Sequence, residues 1–592
     1  MTVSKDASGL PSRERFEPVS TAVATLPAPK RRIRFDLSQP IFIGLALILG
    51  VLVVLPLVWL AYYSVLGADG RFTLANFAAL VADPTLRRPY LIAFAMALGV
   101  GVLSCAIATP LAWLVARTDL AGRRVVRAFV TASFVTPPFL GAIAWEILAA
   151  PNSGIINVIY RNLFGLEPYE YLIDIYTFTG LVFAIACYTF PYVFTLVTNA
   201  LERIPTDLEE ASAMLGGGMG TTLRKVTIPL VLPAMLAGTL IAILQALTMF
   251  GSPAILALPA GFHVITTKIW SLFQFPPKPG LAAAAALPLL LITIFLLWGQ
   301  SRILGRRGYT VIGGKSGDPR LLRLGAWRWL AWAFVGTVLS LTVILPYLAL
   351  IKTALTRNVS EPLTWSTLTL HNINFVFFEF SATQLAMRNT FVLGVLTATI
   401  GTAIALVVSY LVSRKAAPGA PVLGYLATAP IAIPGIVLGV GLFLAYSHPS
   451  LMLYGTLWIL LIAFLTIEMP AGYQQLSSAF KSVHPELEEA SRILGATRMR
   501  ALRQITAPLL RTSVVATWCF IFIGTIRELS AMILLTTSET KLVSVIIYDL
   551  NESGDLGAIS VLGIMLLVVS FSVVLLANRL PVLGGQRVAA LR

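Results

Sequence analysis

The sequence predicts an all-α polytopic membrane protein, with twelve transmembrane helices in two pseudo-symmetric six-helix halves. Three observations carry that prediction. The 592 residues are 57% hydrophobic and 12% charged, with a mean hydropathy of +0.84. Soluble domains carry about 25% charged residues, and half of that cannot cover a water-exposed surface of this size. The apolar residues gather in continuous runs of about twenty or more, the length a helix needs to cross a bilayer. A cytoplasmic-type segment at 208–230 recurs at 487–509. Together these exclude a soluble enzyme, a disordered scaffold and a disulfide-stapled secreted domain.

Taken in order, residues 1–39 are polar, with a basic cluster at Lys30, Arg31, Arg32 and Arg34. They read as a disordered cytoplasmic tail. The apolar run that follows is too long for a cleavable signal. Runs then fall near 41–66, 90–116, 128–150, 176–200, 231–257 and 281–301, and again near 327–351, 390–413, 421–443, 455–475, 513–536 and 556–577. Their continuity opposes the alternation of a membrane barrel, and open strands in lipid leave backbone groups unpaired. Pro56, Pro110, Pro137, Pro138, Pro430 and Pro434 predict kinks within them.

Residues 302–326 are Gly-rich, basic and broken by Asp318-Pro319. They read as a linker between a first domain at 40–301 and a second at 327–580, with 581–592 as a closing cytoplasmic tail. Gly314-Lys315-Ser316 imitates a phosphate loop, but Tyr309 stands where that loop requires its first glycine.

The formal charge of +16 comes from short basic clusters between apolar runs. Arg117, Arg123, Arg124 and Arg127, then Arg203, Arg224 and Lys225, then Arg414 and Lys415, then Arg492, Arg498, Arg500 and Arg503 fall on alternate loops. The excess of Lys and Arg on cytoplasmic loops therefore places both termini inside, with Arg87 and Arg88 as exceptions. Nucleic-acid binding, which needs a basic stripe, is not expected. Cys105, Cys187 and Cys519 lie inside apolar runs and the four histidines are scattered. No disulfide framework, metal site, cofactor site or catalytic residue is expected.

The repeat is the strongest signal. LEEASAMLGGGMGTTLRKVTIPL at 208–230 and LEEASRILGATRMRALRQITAPL at 487–509 share 12 of 23 positions at an offset of 279. The offset also pairs Pro191 with Pro470. Outside it, Leu114-Val-Ala-Arg117 echoes Leu411-Val-Ser-Arg414, and Asn76 echoes Asn372 in similar contexts. Thr206 to Glu209 fits a capping box, and paired glutamates favour a helix start. Leu208, Ala211, Leu215 and Leu487, Ala490, Leu494 predict one apolar helix face. Gly216 and Gly495 predict the helix stop, followed by a second short helix and then Pro229 or Pro508 at the next apolar run. Keeping this arrangement in both halves predicts a docking element for a partner.

The segment resembles the signature of the permease subunits of bacterial ABC importers, E-A-A-x3-G-x9-I-x-L-P. Here it reads Glu210-Ala211-Ser212, Gly216 and Val226-Thr227-Ile228-Pro229, and again Glu489-Ala490-Ser491, Gly495 and Ile505-Thr506-Ala507-Pro508. The resemblance covers nearly the whole chain outside the tail and linker. It implies the type I ABC importer permease fold in the bacterial inner membrane, and a transport subunit that is not itself an enzyme. It implies a separate dimer of ATP-binding-cassette subunits that binds and hydrolyses ATP, a periplasmic substrate-binding protein, and alternating access. Carried over, the docking positions are Glu209, Glu210, Ala211, Ser212 and Gly216, with Glu488, Glu489, Ala490, Ser491 and Gly495. The expected physical roles are capping for the glutamates, close packing for Ala and Ser, and a sharp turn for the glycines. A fused double permease with Phe250-Gly-Ser-Pro-Ala254 is similar to the ferric-iron subgroup. Related permeases carry 2-aminoethylphosphonate, thiamine, sulfate, molybdate or polyamines.

Charges inside spans are costly and usually functional. Arg527 and Glu528 lie deep in an apolar run whose first-half counterpart is read as Met249-Phe250, and they are candidates for the translocation pathway. Glu146 and Glu468 are read as lying near helix ends. The competing class is an ion-coupled secondary transporter, which also has twelve helices in two halves. Asp119-Leu-Ala-Gly122-Arg123-Arg124 partly matches a loop of that class, which gives no reason for the paired cytoplasmic segments.

Overall fold

The computed structural model describes residues 38–67, 69–204, 207–306 and 321–583. The expected capping residue Thr206, the Gly314-Lys315-Ser316 stretch and most of the two tails lie outside them. Ser38 and Gln39, assigned by sequence to the first tail, already belong to the first helix, and the sixth span continues to Arg306 rather than ending at 301.

Ten helices are long and apolar enough to cross a membrane, and two further pairs are bent at a break. In chain order the first half contributes span 1 (Ser38–Ser64), span 2 (Pro84–Arg117), the bent span 3 (Arg123–Val135 with Pro138–Ala149), span 4 (Phe178–Arg203), span 5 (Gly220–Thr248) and span 6 (Pro279–Arg306). The second contributes span 7 (Gly325–Ala354), span 8 (Ser381–Ser413), the bent span 9 (Ala420–Ala432 with Gly435–Tyr446), span 10 (Leu457–Ser482), span 11 (Leu502–Arg527) and span 12 (Leu556–Leu583). Among the described residues, β-structure is confined to two isolated bridges.

The bends are 100° and 106°, far beyond ordinary kinks, and proline causes both. Pro137 and Pro434 are held extended at the breaks, and the residue before a proline is driven out of helical geometry. Each bent pair still crosses. Span 4 begins beside the end of span 3, where the Ile175 amide donates to the Ala149 carbonyl at 3.2 Å. It ends beside the start of span 3, where Arg117 donates to the Ile204 carbonyl at 2.8 Å. Spans 3 and 4 therefore join the same two faces. In the second half, Leu453 bonds to Tyr446 at one face and Arg414 to Val483 at the other.

Helices in lipid approach by small residues and buried contacts rather than by expulsion of water. A Cβ on Gly238 of span 5 would fall 2.8 Å from the Cα of Val193 in span 4, so the two backbones touch there. The halves also exchange their first helices. Leu49 and Leu52 of span 1 pack with Ala405, Val408, Leu423 and Ala427 of the second half. Val335 and Leu339 of span 7 pack with Leu114, Val126 and Val130 of the first. Asn76 and Asn372 each cap the end of the first helix in their own half, bonding carbonyls at 64 and 66 or at 353, 354 and 356.

The end of the expected linker is docked. Leu322 pairs with Thr118, the Leu324 amide donates to Asp119 at 2.9 Å, and Arg328 lies 3.3 Å from the same carboxylate. Asp119, part of the secondary-transporter-like loop, thus ties span 7 to the turn between spans 2 and 3. The Leu324 amide, ahead of Arg328, holds the Asp119 carboxyl below its usual range.

Candidate functional site

The duplicated loops fold alike. Helices Asp207–Met214 and Glu486–Ile493 are followed by Gly216 at φ +80° and Gly495 at φ +90°. The Gly217 amide reaches back to the Ser212 carbonyl at 2.9 Å, and the Ala496 amide to Ser491 at 3.0 Å. These are six-to-one closures around a left-handed residue. The second short helices, Met219–Thr222 and Arg498–Ala501, are not free elements. They run through π-turns at Leu223–Thr227 and Leu502–Thr506 straight into spans 5 and 11. Every one of these boundaries obeys the offset of 279.

The glutamates do not all cap, as the residue pattern suggests. Glu209 accepts from the Thr227 hydroxyl at 3.0 Å and lies 3.7 Å from Arg117 Nε. Glu488 accepts from Thr506 at 2.8 Å and from Arg414 Nε at 3.0 Å. The arginines also hold the carbonyls of Ile204 and Val483, the last residues before each loop. These side chains are nearly buried, with Arg117 only 3% exposed. A buried guanidinium joined to a carboxylate and a carbonyl fixes the loop helix rigidly to span 2 or span 8. Arg117 and Arg414 therefore belong to the site, and the sequence signal for them was the Leu-Val-x-Arg echo.

Outward, the loops present apolar tips. Met214, Leu215, Ile493 and Leu494 are 85–89% exposed, and Leu208 and Leu487 about half exposed. The predicted apolar face is uncovered by this chain. Ala211, Glu489 and Ala490 are exposed on the same helices, and Ser212 bonds Thr222 at 2.8 Å. Uncovered apolar patches rimmed by polar residues mark interaction sites.

A second cluster lies among the spans, at the end of span 11 away from the duplicated loop. Span 11 ends at Arg527, and Glu528 follows as its C-cap. The helix alignment pairs them with Thr248 and Met249, one position from the sequence-based pairing; the charges remain confined to the second half. Arg527 donates to the Phe134 carbonyl at 3.1 Å and lies 5.7 Å above that ring. Phe134 would ordinarily bond to the residue four ahead, which is Pro138 and has no N–H. Arg527 thus satisfies a carbonyl orphaned by the break in span 3 of the other half. Glu528 accepts from the Ala531 amide at 3.1 Å. Glu468 sits in the middle of span 10 rather than near an end, while Glu146 lies in the last turn of span 3, bonded by Tyr176 and by Asn551 of the other half at 2.8 Å each. Among the described residues, no group of three or more His, Cys, Asp or Glu is placed to hold a metal ion.

Comparison with known proteins matches this duplication. Residues 108–307 and 401–581 each match the family described as binding-protein-dependent transport system inner membrane component. The ferric transport system permease protein FbpB of Actinobacillus pleuropneumoniae is 26% identical over 490 residues, 80% of this chain and 68% of that protein. The probable ABC transporter permease protein y4fN of Sinorhizobium fredii is 26% identical over 472 residues, 77% and 81% of the two chains. The maltose/maltodextrin transport system permease protein MalF of Photorhabdus laumondii is 30% identical over 247 residues, 39% and 47% of the two. Two matched segments spanning more than half the chain, one per six-helix half, show that it belongs to the binding-protein-dependent inner membrane transport family, as a fused double permease of an ABC importer.

Proposed function

We propose that this permease imports ferric iron, with one chain forming the complete transmembrane pathway above a dimer of separate ATP-binding-cassette subunits. The observation that carries the substrate is extent of likeness. The ferric permease relative matches across 80% of the chain and so through both halves, whereas the maltose relative covers 39%.

The two loops are the docking elements. Their exposed tips Met214, Leu215, Ile493 and Leu494 enter grooves on the two ATPase subunits, while Glu209 and Glu488 transmit the resulting pull to spans 2 and 8 through Arg117 and Arg414. Glu210, Ala211 and Ser212, with Glu489, Ala490 and Ser491, form the docked helix faces, and Gly216 and Gly495 give each its turn. Nucleotide is held by the partner subunits and the chain carries no cofactor of its own. A periplasmic binding protein delivers cargo to the opposite face. Basic residues around the loops support a cytoplasmic position for them, and an even number of crossings then supports cytoplasmic termini. Arg527 and Glu528 lie on the pathway, which opens to alternate sides as the halves rock.

The test is uptake of radiolabelled ferric citrate by an iron-limited strain lacking the gene, with and without the restored gene. Rescue that disappears when the partner ATPase is disabled is expected. Rescue of maltodextrin, phosphonate, thiamine, sulfate or polyamine uptake instead would replace the substrate. Uptake driven by an ion gradient without an ATPase would overturn the mechanism. Two permease chains per ATPase dimer in the purified complex would overturn the single-chain pathway.

A further inference from the structure

The two halves differ within the spans. In the first half, Thr189 of span 4 and Ser104 of span 2 close on each other through a hydroxyl pair at 3.0 Å, and Thr189 also bonds to Ile185. Gln245 of span 5 bonds to Tyr192 at 3.3 Å. Each polar group has a neutral partner. The helix alignments place Glu468 where Thr189 stands, Gly401 where Ser104 stands, and Gly524 where Gln245 stands. The Thr189 hydroxyl is thus replaced by a carboxylate, its partner Ser104 by glycine, and Gln245, the partner of Tyr192, by a second glycine.

Glu468 is 8% exposed, and no hydrogen-bond donor reaches its carboxylate among the described residues. Its carboxylate rests on the backbone of Gly524; a Cβ there would collide with the carboxyl carbon and both oxygens. One turn further along the same face of span 11 stands Arg527. Arg527 and Glu528 are the charged groups that act on Glu468, and neither lies within ion-pair distance of it. A carboxylate with no protein donor is costly this deep among the spans unless water or a cation reaches the surface it keeps open, and neutral side chains would close the site as they do in the first half. The arrangement instead resembles the acidic constrictions that select cations in channels, with one resident positive charge tethered beside it.

We infer that Glu468 contacts the cation during translocation, and that Arg527 is its tethered counter-cation, held aside on the Phe134 carbonyl and ring of the opposite half. The ligand class is a hard, multivalent cation. This rests on the ferric-iron reading above. In the empty pathway the guanidinium, resting on Phe134, is the positive charge that acts on the two carboxylates and balances one of them. A cation entering between the halves takes over that role. The rocking that separates span 11 from span 3 breaks the Arg527–Phe134 contact and returns the guanidinium to Glu468 as the cation leaves.

The test uses the full complex, purified with its own ATPase and binding protein, in proteoliposomes supplied with ferric citrate. Glu468→Gln should lower iron uptake by about tenfold or more, the low end of what loss of a charge-assisted contact costs, while binding-protein-stimulated ATP hydrolysis persists. Glu468→Asp should recover part of the uptake, and Arg527→Lys should retain more than Arg527→Gln. Normal uptake by Glu468→Gln, or parallel loss of uptake and stimulated hydrolysis in both Glu468→Gln and Glu468→Asp, overturns the contact role. Equal uptake by the two Arg527 variants overturns the counter-cation. If the wild-type complex moves no iron, the ferric-iron reading itself has failed.

Discussion

The duplicated loops and the interior of the spans of this permease are built from the same repeated elements and have opposite fates. At the loops, helix, glycine turn, π-turn and buried arginine recur in both halves at one offset. Deeper in the spans, Ser104, Thr189 and Gln245 correspond to Gly401, Glu468 and Gly524. A pair of like ATPase subunits asks for two like sockets. A single cargo crossing between the halves has no such requirement, and charge can collect on one side. Symmetry is kept where the proposed partner is symmetric and given up on the proposed path of the cargo.

That contrast can be broken at several points. The largest effect is expected at the loop anchors. Arg117→Ala or Arg414→Ala leaves a glutamate buried without its cation, which costs about 3–5 kcal/mol. Each should speed amide exchange in its loop helix and reduce coupled transport. Arg414→Ala should be the worse, because its contact to Glu488 is 3.0 Å against 3.7 Å for Arg117 to Glu209. Equal amide exchange would mean that the shorter contact has no added value.

Next comes the interior of the spans. Gly524→Ala drives a methyl into the Glu468 carboxyl, an overpacking worth about 1–3 kcal/mol. Uptake should fall sharply, while Gln245→Ala at the matching first-half position should stay near wild type. Similar losses from both would restore symmetry to the interior.

A smaller effect is expected at the turns. Gly216→Ala and Gly495→Ala meet open space, so their cost is the left-handed backbone alone, about 1–2 kcal/mol. Solute moved per ATP should fall in both, and asparagine should be tolerated better than alanine. The smallest effect belongs to Asp119. Its carboxyl is held below the ordinary 3.8 by the Leu324 amide and Arg328, so the folded state favours the charged form. The clamp is complete above the unfolded value and is lost as pH falls through the lowered one. Leu324 amide exchange, corrected for intrinsic rate, should be flat between about pH 5 and 8 and should rise in Asp119→Asn.

Much of this was legible in the residues. The twelve runs correspond to the twelve crossings, and the offset of 279 locates the loops and carries the π-turns with them. What the residues hid was long-range. The prolines announced irregularity, but a right-angle break depends on which carbonyls other helices can satisfy, and Arg527 reaches Phe134 from the far half. Glu209 and Glu488 read as local caps because a capping box is visible in sequence, whereas their partners Arg117 and Arg414 lie two spans away in the chain. The setting of Glu468 is hidden because it depends on Gly524, on another helix.

The exchange of first helices has a consequence for how the protein is made. A ribosome delivers span 1 to the membrane long before the residues at 405–427 against which Leu49 and Leu52 pack. Until then that helix has only span 6 of its own half as a long partner, and its seat in the second half is missing. Span 7, by contrast, finds its seat on Leu114, Val126 and Val130 already inserted. Biogenesis is therefore sequential for one half and deferred for the other. A gene split between the halves should yield a first fragment that inserts but stays open to proteolysis until the second fragment is synthesised beside it.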